Sequence, residues 1–64
     1  MIRATRLNRK EFVVNAELIQ YVEETPDTVI TLSNKEKILV VEPVEEIIRR
    51  VLAYQRSIRT FKSP

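Results

Sequence analysis

The stretch TPDTVITLSNKEKILVV, residues 25–41, contains the pattern that decides the fold. Its first three residues end an extended segment, because proline cannot donate to a strand ladder and aspartate favours turns. Two runs rich in β-branched residues, 29–32 and 38–41, follow on either side of the polar tip at 33–36. Such runs with a short polar connection predict two antiparallel strands.

The same period-2 spacing of apolar residues occurs earlier in the chain. Apolar residues within 2–7 precede a polar tip at Asn8-Arg9, and further extended segments follow at 12–14 and 18–22. Turn signals recur about every 8–12 residues, and the connections are too short for parallel crossovers. The sequence therefore predicts an antiparallel meander of about five strands over residues 1–41.

At Pro43 the apolar period changes from 2 to about 3.6, which predicts one amphipathic helix over residues 43–59. Proline suits the first turn of a helix, where its missing N–H would have no partner. Residues 60–64 are expected to form a frayed tail, so the whole chain, 1–64, is a single α+β domain. The expected ion pairs on the exposed side of the helix are Glu45–Arg49 and Glu46–Arg50.

Alternation divides the strand residues into two sets, and neither set is polar. One set contains Phe12, Val14, Ile19, Tyr21, Ile30, Leu32, Leu39 and Val41; the other contains Ile2, Ala4, Val13, Leu18, Val22, Val29, Ile38 and Val40. A solvated antiparallel sheet carries polar residues on its outer face, so both sides are expected to be covered. The helix covers one side, and either curling into a small barrel or a second copy of the chain covers the other. The residues predicted for a homo-oligomer interface are Ile2, Val13, Val22, Val29, Ile38 and Val40.

The composition excludes several kinds of chemistry. The 64 residues include no cysteine, histidine, tryptophan or glycine, so a disulfide, a thiolate nucleophile, an imidazole base and a glycine-rich phosphate loop are all excluded. The pairs Glu23-Glu24 and Glu45-Glu46 do not converge as a catalytic dyad. We therefore expect a non-enzymatic protein without metal or cofactor. The single hydrophobic core of a chain this short contributes only about 3–5 kcal/mol to the free energy of unfolding, which also favours an oligomer.

Charge is segregated along the chain. The net charge is +2, from 11 Lys and Arg against 9 Asp and Glu, with +4 over residues 1–10, −5 over 11–27, −2 over 28–47 and +5 over 48–64. The basic residues predicted to bind a partner are Arg3, Arg6, Arg9, Lys10, Arg49, Arg56 and Arg59. Three interpretations are open: a solvated surface balanced by the acidic middle, a surface for an acidic protein or the anionic inner membrane leaflet, and a nucleic-acid surface. Nucleic acid is the least favoured, because few aromatic side chains could stack on bases. Apolar runs do not exceed four residues, which predicts a cytoplasmic protein.

Asparagine stands at both hairpin tips, as Asn8 and Asn34, and we expect a conformational role because asparagine tolerates the left-handed backbone of tight turns. Asn15, directly after the run 12–14, is expected to end its strand through a local side-chain hydrogen bond.

Several segments together resemble one family of short bacterial flagellar proteins. They are Thr5-Arg6-Leu7-Asn8, Lys10-Glu11-Phe12, Asn15-Ala16-Glu17-Leu18-Ile19 and Thr25-Pro26-Asp27-Thr28-Val29-Ile30-Thr31-Leu32 with Asn34. The chain is similar to the FlbD family, also called SwrD, over residues 1 to about 55. The resemblance implies a cytoplasmic accessory protein that is needed for full swimming or swarming power and acts on the stator units of the flagellar motor. The family defines no catalytic residues.

One departure from the family pattern concerns the hairpin tips. Members of the family usually have Asn-Gly at both tips, whereas Arg9 and Lys35 follow the asparagines here. A type I′ turn requires positive φ at both central residues, which is costly without glycine. We therefore expect one or both turns to be longer or bulged.

The function predicted is a motility accessory that binds other proteins of the flagellar motor or its stator, with the inner membrane surface nearby. The alternative is a small nucleic-acid-binding regulator, because the stretch 19–23 followed by a hairpin and a helix resembles DNA-binding domains of the LytTR type, and small β-proteins can bind RNA. A third alternative is a purely structural oligomer.

Overall fold

The computed structural model describes the backbone of residues 1–62 and the side-chain surroundings of residues 1–58. The elements in chain order are β1 (Ile2–Thr5), β2 (Glu11–Val14), a 3₁₀ turn (Ala16–Leu18), β3 (Ile19–Glu24), β4 (Thr28–Leu32), β5 (Lys37–Val40) and α1 (Val44–Lys62). The predicted α+β class, with about five antiparallel strands before one helix, is confirmed. The helix continues to Lys62, past the predicted end at Arg59, and residues 63 and 64 of the predicted tail lie outside the described residues.

The strands form two sheets, β1-β2 and β3-β4-β5, where the sequence predicted a single meander. The break falls at the 3₁₀ turn, which includes Leu18, a residue predicted to lie in the third strand. Asn15 Oδ1 accepts a hydrogen bond from the Glu17 N–H at 3.0 Å, as predicted for the end of β2. The sheets meet where the Val41 N–H donates to the Thr5 carbonyl at 2.9 Å. Within the described residues this contact does not close the strands into a barrel.

Both hairpin tips have the same three-residue loop. In the first hairpin the Arg6 N–H donates to the Lys10 carbonyl at 2.9 Å, and the Arg9 N–H donates to the Arg6 carbonyl at 2.8 Å. The second hairpin repeats these bonds from Leu32 to Glu36 and from Lys35 to Leu32, both at 2.8 Å. A turn followed by one left-handed residue produces this pattern with a bulge. The prediction that the turns are longer or bulged is confirmed.

The left-handed residue at each tip is the basic one, with φ of 73° at Arg9 and 74° at Lys35. The prediction that the asparagines adopt this conformation is wrong. Instead, Asn8 Oδ1 accepts from the Lys10 N–H at 3.0 Å, and Asn34 Oδ1 accepts from the Glu36 N–H at 2.9 Å. Each asparagine therefore stabilises its loop through its side chain.

Replacing Arg9 or Lys35 by glycine is expected to raise the free energy of unfolding by about 0.5–1 kcal/mol, because glycine has no Cβ to oppose positive φ. Thermal unfolding measures the effect, since 1 kcal/mol corresponds to about 4–8 °C in Tm for a chain of this size. Asn8→Gly is the control: it removes an acceptor at a position without positive φ, so it should lower Tm. A Tm for R9G at or below that of the wild type would contradict this account.

The three-residue loops determine which residues share a face. Compared with a two-residue tip, the extra loop residue shifts the register by one, and such a shift exchanges the two faces of a strand. Ile2 pairs with Val14 and Ala4 pairs with Phe12, so these side chains face together. The sequence had grouped Ile2 and Ala4 with Val13 instead. The division of strand residues into two faces is therefore corrected in both hairpins, since Ile30 and its partner Ile38 also lie on one face.

The hydrophobic core lies between the two sheets and α1. Its buried side chains are Ile2, Ala4, Val14, Ala16, Ile30, Leu32, Ile38, Val40 and Ile47. Three residues predicted for an oligomer interface, Ile2, Ile38 and Val40, are thus inside the core of the single chain and are not available to a partner. Ile47 is fully buried and is the helix residue at the centre of this packing.

The first turn of α1 is capped by a residue from β3. Pro43 lies just before the helix, and its carbonyl accepts from the Glu46 and Ile47 N–H groups at 3.0 and 3.2 Å. Because proline has no side-chain acceptor, it cannot cap the helix itself. Glu24 Oε1 accepts from the Val44 N–H at 3.0 Å instead. The carboxylate also interacts favourably with the positive end of the helix dipole.

Candidate functional site

Glu42 lies in the short connection between β5 and α1, and it is 9 % exposed. Its carboxylate receives three hydrogen bonds from two other parts of the chain. Oε1 accepts from the Thr5 N–H at 2.9 Å, while Oε2 accepts from the Thr5 hydroxyl at 2.8 Å and from Arg50 Nη1 at 3.2 Å. The carboxylate therefore joins the end of β1 to the helix.

The protonation of Glu42 follows from these contacts. Burial alone opposes ionisation of the carboxyl group. The two hydrogen bonds from Thr5 and the positive charge of Arg50 outweigh the effect of burial, so the pKa of Glu42 lies below its ordinary value. Glu42 is therefore ionised at neutral pH, with its buried charge compensated.

Arg50 extends this junction along the helix. Its Nη1 also donates to the Arg3 carbonyl at 2.7 Å, and its Nε donates to Glu46 Oε2 at 2.7 Å. The predicted Glu46–Arg50 ion pair is thus present. Arg50 holds α1 against β1, and the same contacts keep its guanidinium partly buried.

Arg49 also binds Glu46, whereas the sequence predicted that it pairs with Glu45. Arg49 Nε donates to Glu46 Oε1 at 3.0 Å, and a second contact joins Nη2 to Oε2. Hydrogen bonds from Arg49 and then Arg50 lower the pKa of Glu46 to about 2. The side chain of Arg49 is 69 % exposed, so it remains accessible to a partner despite this pairing.

A shallow groove runs beside this junction, between the start of β1 and the helix. It is lined by Met1, Ile2, Arg3, Arg49, Arg50, Ala53, Tyr54 and Ser57. Two of the predicted partner-binding residues, Arg3 and Arg49, are thereby brought together from opposite ends of the sequence. We call this surface the basic groove.

Tyr54 connects the basic groove to the 3₁₀ turn. Its hydroxyl donates to Glu17 Oε2 at 3.3 Å. Desolvation and the nearby negative charge of Glu17 raise the pKa of Tyr54, so the phenol stays protonated and remains a donor at neutral pH.

The other predicted partner-binding residues lie elsewhere. Arg56 is exposed on α1 next to Ser57 of the groove, and Arg59 is in α1 with a side chain outside the described residues. The predicted residues Arg6, Arg9 and Lys10 lie at the tip of the first hairpin. The Arg6 guanidinium stands 4.6 Å from the centroid of the Phe12 ring, a cation–π distance that orders its side chain. The predicted basic set is thus divided between the basic groove with its helix and this hairpin tip.

The remaining residues predicted for an oligomer interface do not form one surface. Val13 is 59 % exposed on β2, on the side away from the core. Val22 is half-buried and shares the inner face of β3-β4-β5 with Ile30. Val29 is half-buried on the outer face of that sheet.

Arg50 was predicted only as the partner of Glu46, Glu42 was not singled out, and Thr5 was identified only as part of a motif. The available signal was a lone carboxylate between the apolar run 38–41 and Pro43. Such a residue is typical of an ordinary exposed turn, and its burial depends on β1 reaching the same place.

Within residues 1–62, no helix combines the length and the apolar character that a membrane span requires. The part of the chain that the structure describes also contains no cluster of acidic, histidine or cysteine side chains that could hold a metal ion. The fold and the site define a small α+β domain with a buried carboxylate junction and arginines grouped beside it.

Comparison with protein families agrees with the motifs. The model of the FlbD family, described as flagellar and swarming motility proteins, matches residues 1–59. The chain belongs to this family, and the resemblance inferred from its sequence is confirmed. No curated protein and no solved structure matches the chain. Its role therefore lies in flagellar and swarming motility.

Proposed function

We propose that this protein is a non-enzymatic accessory of the flagellar motor, and that it supports the power of the stator units by binding other proteins. Membership of the FlbD family carries this proposal. The family concerns motility, and within the described residues the prominent chemical feature is a set of exposed arginines. Acidic surfaces of motor proteins are the partners that such a set fits.

The basic groove is the proposed contact surface. Arg50 fixes the helix to β1 through the Arg3 carbonyl, so Arg3 and Arg49 are held on a common rigid framework. A preformed arrangement of charges loses less conformational entropy on binding than separate flexible side chains do. Arg56, exposed further along α1, extends the same surface.

The proposed location is the cytoplasm, at the inner face of the membrane beside the motor. Basic side chains close to an anionic leaflet each contribute about 1 kcal/mol, so the membrane surface can assist binding without an anchor. We also propose that the protein acts as a homo-oligomer, since the hydrophobic core of a 64-residue chain provides little stability by itself.

Charge reversal at Arg3 and Arg56 tests the contact surface. Within the described residues neither side chain forms an ion pair, so R3E/R56E should fold normally. We expect binding to the motor partner to weaken at least about tenfold, because like charges then face each other across the contact. Swimming rings should therefore be smaller and motor torque lower than with the wild-type protein. The measurement is swimming-ring expansion and motor torque in a motile bacterium whose own family member is replaced by the variant.

Lys35→Glu is the control for these reversals. It makes the same change of charge as either reversal alone, and half that of the double variant, at an exposed position on the second hairpin, away from the groove. We expect K35E to leave torque unchanged, and thermal unfolding of each purified variant shows that it is folded. Wild-type torque with a folded R3E/R56E protein would refute the proposed contact surface.

A further inference from the structure

On the outer face of the three-stranded sheet, the side chains of the two flanking strands β3 and β5 are exposed, whereas those of the central strand β4 are buried or half-buried. The register aligns the side chains of this face in two rows across β3, β4 and β5. The rows are Tyr21, Thr31 and Lys37, and Glu23, Val29 and Leu39. Tyr21 is 51 % exposed and Leu39 is 42 % exposed, so both side chains are accessible to a partner.

The corners of this face carry complementary chemistry. Glu23 and Lys37 occupy one pair of opposite corners, and Tyr21 and Leu39 occupy the other pair. Within the described residues, neither Glu23 nor Lys37 takes part in an ion pair. The charged diagonal is therefore free to pair with a partner.

The centre of the face contains an unsatisfied group. Thr31 is only 2 % exposed, and its hydroxyl is the buried side-chain atom without a hydrogen-bond partner in the described part of the chain. Buried polar atoms are normally satisfied, but this hydroxyl is already closed off from solvent in the single chain, so the exposed side chains around it and not Thr31 would contact a partner.

We propose that this face binds the same face of a second copy of the chain. A surface that contacts itself across a two-fold axis must be self-complementary. A two-fold axis that lies in the interface along the diagonal from Tyr21 to Leu39 meets this condition. It places the Glu23 corner of one copy over the Lys37 corner of the other. Each Glu23 then lies opposite Lys37 of the second copy, and the apolar corners meet their own counterparts.

The dimensions of the sheet permit this arrangement. Two strand spacings separate β3 from β5, about 10 Å, and two residues along a strand span about 7 Å. Because these two dimensions are similar, the two-fold axis brings Glu23 of one copy close to Lys37 of the other, and their long side chains can reach each other. The strands of the two copies cross at nearly a right angle, which is one of the two common ways for sheets to pack.

The face is small, so we expect a dimer of moderate affinity. Three strands of four to six residues cover less than the roughly 800 Å² per partner of a standard interface. We take about 10–100 μM as the expected dissociation constant, weaker than that of a typical interface of standard size.

Sedimentation equilibrium from about 5 to about 500 μM tests the proposal, since this interval brackets the expected constant. The variants are E23K, K37E and the double variant E23K/K37E. We expect the wild type to dimerise and each single variant to dissociate at least about tenfold more readily, because each places two pairs of like charges in the interface. An equimolar mixture of E23K and K37E should form a heterodimer at wild-type strength, since both contacts are then attractive. The double variant should dimerise with itself.

Matched controls separate this contact from effects of net charge. Glu36→Lys and Lys35→Glu make the same changes of charge at the exposed second tip, and they should leave association unchanged. Thermal unfolding verifies that every variant is folded, and surface changes of this kind usually alter stability by less than about 0.5 kcal/mol.

Three results would overturn the proposal. One is a wild-type chain that remains a 7.5 kDa monomer throughout the concentration range. Another is a single variant that associates as strongly as the wild type. The third is a mixture of the two single variants that associates no better than either variant alone. A contact between the basic groove and a motor protein is independent of all three results.

Discussion

Replacing Glu42 by alanine is expected to lower the free energy of unfolding by about 3 kcal/mol, because it removes a largely buried acceptor and leaves two donors of Thr5 without a partner. The donors are the Thr5 N–H and the Thr5 hydroxyl, whereas Arg50 keeps its hydrogen bonds to the Arg3 carbonyl and to Glu46. A core of this size supplies about 3–5 kcal/mol in total, so E42A should be largely or partly unfolded at 37 °C. Urea unfolding followed by circular dichroism measures the loss.

Glu45→Ala provides the matched control for E42A. Glu45 is exposed in the first turn of α1, and exposed positions of this kind usually change stability by less than about 0.5 kcal/mol. Glu42→Gln should lower the free energy of unfolding less than E42A does, because the carbonyl oxygen of the glutamine still accepts one hydrogen bond. Equal stability of E42A and E45A would show that the junction does not stabilise the fold.

The pH dependence of stability follows from the same carboxyl group. The pKa of Glu42 is lower in the folded chain than its ordinary value of 4.5. Between these two pKa values the unfolded chain binds more protons, so stability decreases as pH falls. The contribution of Glu42 is fully present above about pH 5 and is lost as the pH falls through the folded pKa. Acid unfolding of E42Q should lack this component.

Ile47→Ala is expected to lower the free energy of unfolding by about 3 kcal/mol, within the range of about 2–5 kcal/mol for deletion of a large buried aliphatic side chain. Ile47 is fully buried where α1 packs on both sheets. Most of the stability of a helix in a protein comes from the packing of its apolar face, so α1 depends on this contact. The variant should therefore lose helical signal together with its tertiary structure.

The next residue along the helix provides the control for I47A. Ile48 has the same side chain but is 47 % exposed, so I48A should cost less than about 1 kcal/mol. Urea midpoints for both variants, together with unchanged slopes, give the comparison. A loss in I48A as large as that in I47A would contradict the assigned orientation of the helix.

Local sequence signals predicted the strands and the helix because those signals depend on neighbouring residues. The turn at Thr25-Pro26-Asp27 does end β3 at Glu24, and the change of period at Pro43 does precede α1. The separation into two sheets depends on the 3₁₀ turn at 16–18, whose short length gives no periodic signal.

The faces of the strands could not be predicted because they depend on a single residue in each loop. A two-residue tip at Asn8-Arg9 places Ile2 and Ala4 beside Val13, whereas the observed loop places them beside Val14 and Phe12. Sequence composition favoured a bulged tip, but it did not fix the loop length on which the register depends.

The candidate site was predictable in charge but not in arrangement. Counting charges identified Arg3 and Arg49, although only the packing of β1 against α1 places them in one groove. Glu42 and Arg50 also contact β1, which is far from both of them in the sequence. Contacts of this kind have no local pattern, so residue spacing does not predict them.

Consecutive residues of β3 serve opposite sides of the molecule. Glu24 receives the first helical N–H of α1, and Glu23, on the other side of the strand, points away from the core. Only one peptide unit separates the two carboxylates. The outer face of the sheet and the cap of the helix therefore share one short segment of backbone, so a partner that displaced Glu23 would also move the acceptor at the start of α1.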